Sequence, residues 1–159
     1  MDRPLTLDEK AINSETREHI LEVTRRLNQV VTELVQRGPA HDCSKTEDPE
    51  LEAFTRMTPR LAGSTYGSDE YKGMLKELGP ALQHHYESNR HHPEHFPDGV
   101  AGMNLIDFVE MLCDWKAATM RHRNGDLGKS IEHNAKRFNL DPQVVALLRN
   151  TARDLGWLT

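Results

Sequence analysis

Five of the nine histidines in this sequence fall between His84 and His95, in the run HHYESNRHHPEH. Imidazole is the commonest protein metal ligand and titrates near neutrality, so a packed group of imidazoles is costly unless a cation or an anion organises it. The plain alternative is a solvated polar loop that binds metal only adventitiously. Two further features set the cluster in context: the adjacent pair His41-Asp42, and Asp114 within a segment of helical periodicity. A His-Asp pair on a helix offers an imidazole nitrogen and a carboxylate oxygen to one side of a bundle, provided other helices supply the remaining ligands. Taken alone, the pair also fits a helix start in which Asp42 favours the dipole.

These residues need elements to position them. Between Ser14 and Arg37, Ile20, Val23, Leu27, Val30, Val31 and Leu34 recur at helical spacing, with Ser14 as N-cap and Gly38-Pro39 as a stop. The pattern predicts a long amphipathic helix with one buried face, His19 on or beside that face, and residues 1–13 as an N-terminal tail. Pro39 suits the first turn of a following helix that carries His41, Asp42 and Lys45. Residues 47–56 read as a further short helix, and the stretch holding Pro59, Gly63 and Gly67 reads as a loop. Ser68-Asp69-Glu70 then caps a helix through Tyr71, Met74, Leu75 and Leu78, which Gly79-Pro80 breaks and restarts toward His84 and His85.

Pro93, Pro97, Gly99 and Gly102 make residues 89–102 a loop. Helical periodicity returns over residues 103–121 through Leu105, Ile106, Val109, Leu112 and Trp115. Two more helices follow, over residues 127–138 and from the Asp141-Pro142 start to Leu155. There is no internal repeat and no alternating strand pattern. The fold expected is all-α, a single-domain helical bundle over residues 14–159.

Composition narrows the function classes. A chain of 159 residues can bury a core without staples, and 36% apolar with 28% charged residues implies a lean aliphatic one. A formal charge of −5, without any Lys/Arg block, argues against an extended nucleic-acid partner but leaves room for a single nucleotide. Cys43 and Cys113 lack the spacing of a zinc site or a disulfide framework, which suits a reducing cytoplasm. No apolar run is long enough to span a membrane, and residues 1–10 lack a signal-peptide core. A monomer and a homodimer are both compatible with these bounds.

In the order of its candidate ligands the chain resembles the HD-domain superfamily of helical metal-dependent phosphohydrolases, whose pattern runs His, then His-Asp, then a distant Asp. The resemblance spans about residues 19–118. HDCSK, from His41 to Lys45, looks like the His-Asp-x-x-Lys variant of branches with two metals, and residues 84–118 look like those branches' paired histidines, loop and final helix. It implies His19, His41, Asp42 and Asp114 as the four-ligand core, His84 and His85 as extra ligands, and Asp42 as the bridge between ions. The whole chain also looks like a small uncharacterised family sharing HDxSK, YGSxEYK and NRHHPEH, here His41–Lys45, Tyr66–Lys72 and Asn89–His95. The loop lacks the Gly-Tyr-Pro signature of the cyclic-dinucleotide branch, so that substrate class is not implied.

Some positions stay open at this level. His91, His92 and His95 have no counterpart in the superfamily core; they could replace His84 or His85 as ligands, act on a substrate phosphate or leaving oxygen, or face solvent. Asp107 lies two turns before Asp114 on nearly the same face, so periodicity does not separate the two, and the resemblance favours Asp114. Glu110, one turn before Asp114, suits a carboxylate that orients a ligand histidine. Lys45 and Arg90 are candidates for holding a substrate anion. Arg121 and His122 are weaker ones, better explained by the helix dipole.

The reaction implied is hydrolysis of a small phosphate ester, a nucleotide or phosphorylated metabolite, with one or two divalent ions drawn from Mn, Fe, Mg, Co, Ni or Zn. A di-iron HD-type oxygenase and a catalytically inactive HD-like module that binds a nucleotide or a partner are the alternatives.

Overall fold

The computed structural model describes residues 3–65, 67–121 and 125–158; Tyr66 and His122, both named above, lie outside the described residues. Among those described there are seven α-helices, three short 3-10 turns and no strand, so the protein is all-α. The chain divides into two compact units, the first ending at Pro39 and the second beginning at Ala40.

Helix α1 runs Leu7–Ala40 and makes up most of the first unit. It starts seven residues before the expected Ser14, so much of the supposed tail is helical. The reason is a reciprocal cap: Glu9 N–H donates to Thr6 Oγ1 (3.2 Å) and Thr6 N–H donates to Glu9 Oε2 (2.8 Å). Nor does Gly38-Pro39 stop it, since the helix continues through Pro39 to Ala40. No residue of α1 is buried, and Ile20, Val23, Leu27, Val30 and Val31 are exposed, contrary to the buried face read from their spacing. Periodicity specifies an apolar stripe but not what covers it.

The second unit opens with a turn instead of the expected helix. Asp42 adopts a left-handed conformation (φ 58°, ψ 12°), and a 3-10 turn, Cys43–Thr46, follows. Aspartate tolerates this conformation better than most residues, at some conformational cost.

Two small cores then form. In the first, α2 (Leu51–Gly63) packs on α3 (Asp69–Leu78), and α3 neighbours α4 (Pro80–Ser88), burying Phe54, Met57, Met74, Leu78 and Ala81. Helix α2 passes through Pro59, so the loop expected there begins only after Gly63. Ser68 caps α3 as expected, accepting from Tyr71 N–H at 3.1 Å. In the second core, α5 (Leu105–Met120) packs on α6 (Leu127–Arg137) and α6 on α7 (Pro142–Asp154), burying Met111, Leu112, Trp115, Leu127, Ile131, Leu148 and Ala152. Asp126 and Asp141 cap α6 and α7 through their side chains.

Between the cores runs the predicted loop, tightened by 3-10 turns at Pro93–His95 and Gly99–Gly102. It is anchored on α5. Asn104 and Asp107 form a capping box, and the buried Asp107 carboxylate also takes both arms of Arg90 (3.1 and 3.2 Å) while the guanidinium lies over Phe96. Asp107→Ala leaves the cap and the Arg90 guanidinium without this partner, so urea unfolding is expected to show a loss of about 1–3 kcal/mol. A loss indistinguishable from zero contradicts this role.

Candidate metal centre

Helix α4 presents His84 and His85, and consecutive helical residues point about 100° apart, so the two rings differ in exposure although both meet Glu50 through Nδ1. His85 is the inward one, fully buried, and its Nε2 lies 3.3 Å from Asp42 Oδ1. His84 turns away. Its side chain is 42% exposed and its Nδ1 meets Glu50 Oε1 at 2.7 Å.

The loop supplies two more imidazoles. His91, buried, places Nε2 3.5 Å from Asp42 Oδ1, and His92 Nε2 lies 2.9 Å from His85 Nε2. The turn and α5 complete the set: His41 Nε2 lies 3.6 Å from Asp42 Oδ2 and 3.5 Å from Asp114 Oδ1. Three groups capable of holding a metal ion emerge among the described residues: Asp42 with His85, His91 and His92; His41 with Asp42 and Asp114; and His41 with His91 and Glu110.

The other face of each imidazole explains why the Nε2 atoms converge. Glu110 Oε1 lies 3.0 Å from His41 Nδ1 and 3.3 Å from His91 Nδ1, and the fully buried Glu50 places Oε2 2.9 Å from His85 Nδ1. A carboxylate at Nδ1 accepts that nitrogen's proton, which leaves the Nε2 lone pair to face inward. Three of the four imidazoles are set this way.

Lone pairs facing a carboxylate at short range repel unless a positive charge lies between them. Asp42 Oδ1 and His91 Nε2 are buried with no hydrogen-bond partner, and they are the atoms that face each other. Such orphans are rare and costly in folded proteins. Donors held about 2.0–2.2 Å from one metal stand roughly 3–3.5 Å from each other, close to the spacings found here. The residues present therefore fit a divalent ion.

The electrostatics agree. Hydrogen bonds that the His41 ring donates to Asp114 and then Glu110 raise its pKa to about 10 against the opposing effect of burial, so the site draws positive charge even onto an imidazole. Burial alone would raise the Asp42 carboxyl, but the Lys45 ammonium at 2.5 Å, together with His41 and His85, keeps it below its ordinary value. Burial, and then the charge of Lys45, holds His85 below the ordinary imidazole range against Asp42 and Glu50. His92 is likewise lowered, chiefly by burial. Neutral imidazoles and an ionised carboxylate are the forms that ligate, so the shifts at His85, His92 and Asp42 suit an ion, whereas His41 gives up a proton to bind one.

The expected ligands separate accordingly. His41, Asp42, His85 and Asp114 come together and His84 does not; His19 is an exposed residue of α1, in the first unit. His91 and His92, expected over the site, are among the donors themselves. His95 instead donates from Nδ1 to the Tyr86 carbonyl (3.2 Å), and Arg90 is tied to Asp107, so neither lines the cleft at the site. Lys45 does line it. Asp107 is buried at the start of α5, which leaves Asp114 as the donor. Glu50 escaped the sequence reading because one glutamate before an apolar run carries no sign of burial.

Asp42, His85, His91, His92 and Asp114 open onto a cleft of about 580 Å³ whose walls also include Phe54, Tyr71, Trp115, Lys129 and His133. An all-α chain with a buried histidine–carboxylate cluster facing a cleft is the class these observations define. Residues 8–154 match the family described as "Family of unknown function (DUF5662)", and the chain belongs to it. No curated protein and no solved structure matches the chain.

Loss of a carboxylate that orients ligand imidazoles typically costs about 10–100-fold in metal affinity. Glu110→Gln is expected to show a loss of that order by competition with a chelating dye, and His84→Ala to keep full metal stoichiometry. Equal affinity of Glu110→Gln and the parent protein contradicts the orienting role.

Proposed function

We propose that this protein is a metal-dependent hydrolase of small phosphate esters, of the HD type. The observation that carries the proposal is the buried, unpartnered pair Asp42 Oδ1 and His91 Nε2, set among inward-facing imidazoles at one end of a substrate-sized cleft. The likeness in order of His41, Asp42 and Asp114 to the HD pattern supports it, with His85, His91 and His92 as the additional nitrogen donors. When bound, a divalent ion supplies a Lewis acid that lowers the pKa of water and offsets charge on phosphoryl oxygens. The chain's own residues do the rest. Glu110 and Glu50 fix the rings, Asp42 and Asp114 hold negative charge where the cation belongs, and Lys45 gives the cleft an ammonium for a phosphoryl oxygen.

A donor set this rich in imidazole suits zinc, iron or nickel better than magnesium, which prefers oxygen ligands. Iron also keeps the di-iron oxygenase as the competing reading. The test is elemental analysis of untagged protein followed by phosphate release from a panel of nucleotides and sugar phosphates under each metal. The expected outcome is stoichiometric metal and metal-dependent phosphate release, both abolished in Asp42→Ala. Oxygen consumption with iron and no phosphate release would favour the oxygenase, and full turnover in Asp42→Ala would defeat the site.

A further inference from the structure

The cleft reaches well past the candidate metal donors. Part of its wall is α6, where Lys129, His133 and Arg137 recur every four residues and so share one helical face. Ser130 of the same helix and Arg121 also line it, and among the described residues Asp126, 3.9 Å from Lys129, is the one acidic lining residue apart from the candidate donors Asp42 and Asp114. On a chain with net charge −5 this is a local reversal of sign. A cleft lined by one sign of charge focuses potential on ligands of the other.

His133 sits at the centre of this face, and its position is built. Its ring lies so close to Gly67 (φ 77°) that a Cβ there would come within 2.7 Å of Cε1, so the loop before α3 closes on the imidazole only because that residue is glycine. Burial, and then Arg137, Lys72 and Lys136, hold its pKa below the ordinary value, which marks a positive environment on α3 as well as α6. Arg137 also binds Glu94 and the Tyr86 hydroxyl, which steadies it at the cleft edge. Apolar Leu61, Leu75 and Leu78 line the same cleft, giving the body of a ligand a surface to lie on.

We infer that the α6 face of Lys129, His133 and Arg137 is an anion subsite, and that the ligand is a phosphate ester bearing a second anionic group remote from the scissile phosphate. The assignment of the first phosphate to the metal end rests on the hydrolase reading; the subsite itself is tested by binding.

The experiment uses the metal-loaded full chain and two probes of one shape, phenyl phosphate and 4-carboxyphenyl phosphate, with affinity measured by calorimetry and phosphate release followed separately. A charge-assisted contact made by only one probe predicts tighter binding of the carboxylated one by about tenfold. In the double variant Lys129→Ala/His133→Ala the ratio is expected to fall to near one while metal content is retained. Equal affinities in the parent protein, or a preference that survives the double variant, would overturn the subsite. Should the double variant lose its fold, Lys129→Gln alone, at a side chain 82% exposed, must still lower the ratio, and an unchanged ratio there overturns the subsite too. Preference in binding without phosphate release under any metal refutes the hydrolase and keeps the subsite; release without preference does the reverse.

Discussion

Everything in the second unit turns on carboxylates placed behind imidazoles. Glu110 stands at the Nδ1 atoms of His41 and His91, and Glu50 at those of His84 and His85. Without them a ligand histidine is free to choose its tautomer and swing its ring; with them the Nε2 lone pairs of three rings are turned toward Asp42. Glu50 is fully buried, and its two oxygens meet the Nδ1 atoms of His84 and His85, so its polar atoms keep partners away from water. The bond that orients the His85 ring is thus also one that satisfies the buried Glu50 carboxyl.

The fold serves this network by bringing in donors from separately packed pieces. His85 rides on α4 beside the core of α2 and α3, whereas Glu110 and Asp114 ride on α5, which is fixed by α6 and α7. Asp42 comes from a turn held in a left-handed conformation, and unfavourable backbone of this kind tends to collect at functional positions. His91 and His92 come from a loop pinned to α5 through Arg90 and Asp107. Asp107, two turns from Asp114, secures the loop while Asp114 faces the site, so two carboxylates that look equivalent in sequence divide structure and chemistry between them.

How much could be read from the chain alone follows from what each signal measures. Helical period and caps located α3, α4, α5, α6 and α7 closely, because those signals are local. They fail at both ends of α1, where Thr6 and Glu9 cap the helix ahead of Ser14 and the helix runs on through Pro39, and at Pro59, which α2 tolerates. The resemblance singled out His41, Asp42, His85 and Asp114 along with His19 and His84; among nine histidines and 25 Asp and Glu, residue type by itself selects none of them. Whether His84 or His85 faced inward depended on helix phase, and whether His91 and His92 were donors depended on the path of a loop, neither of which composition records. Glu50 was silent because burial of a charge is decided by its partners across the fold, here 34 and 35 residues away.

The most direct measurement of the central claim is anomalous diffraction from crystals of the protein loaded with zinc or iron, recorded on either side of the metal's absorption edge. The expected result is a peak among Asp42, His85, His91 and His92 with nitrogen ligands at about 2.0–2.1 Å, through Nε2 in each ring. Loading at full stoichiometry with the anomalous signal elsewhere, or coordination through Nδ1, would contradict the account.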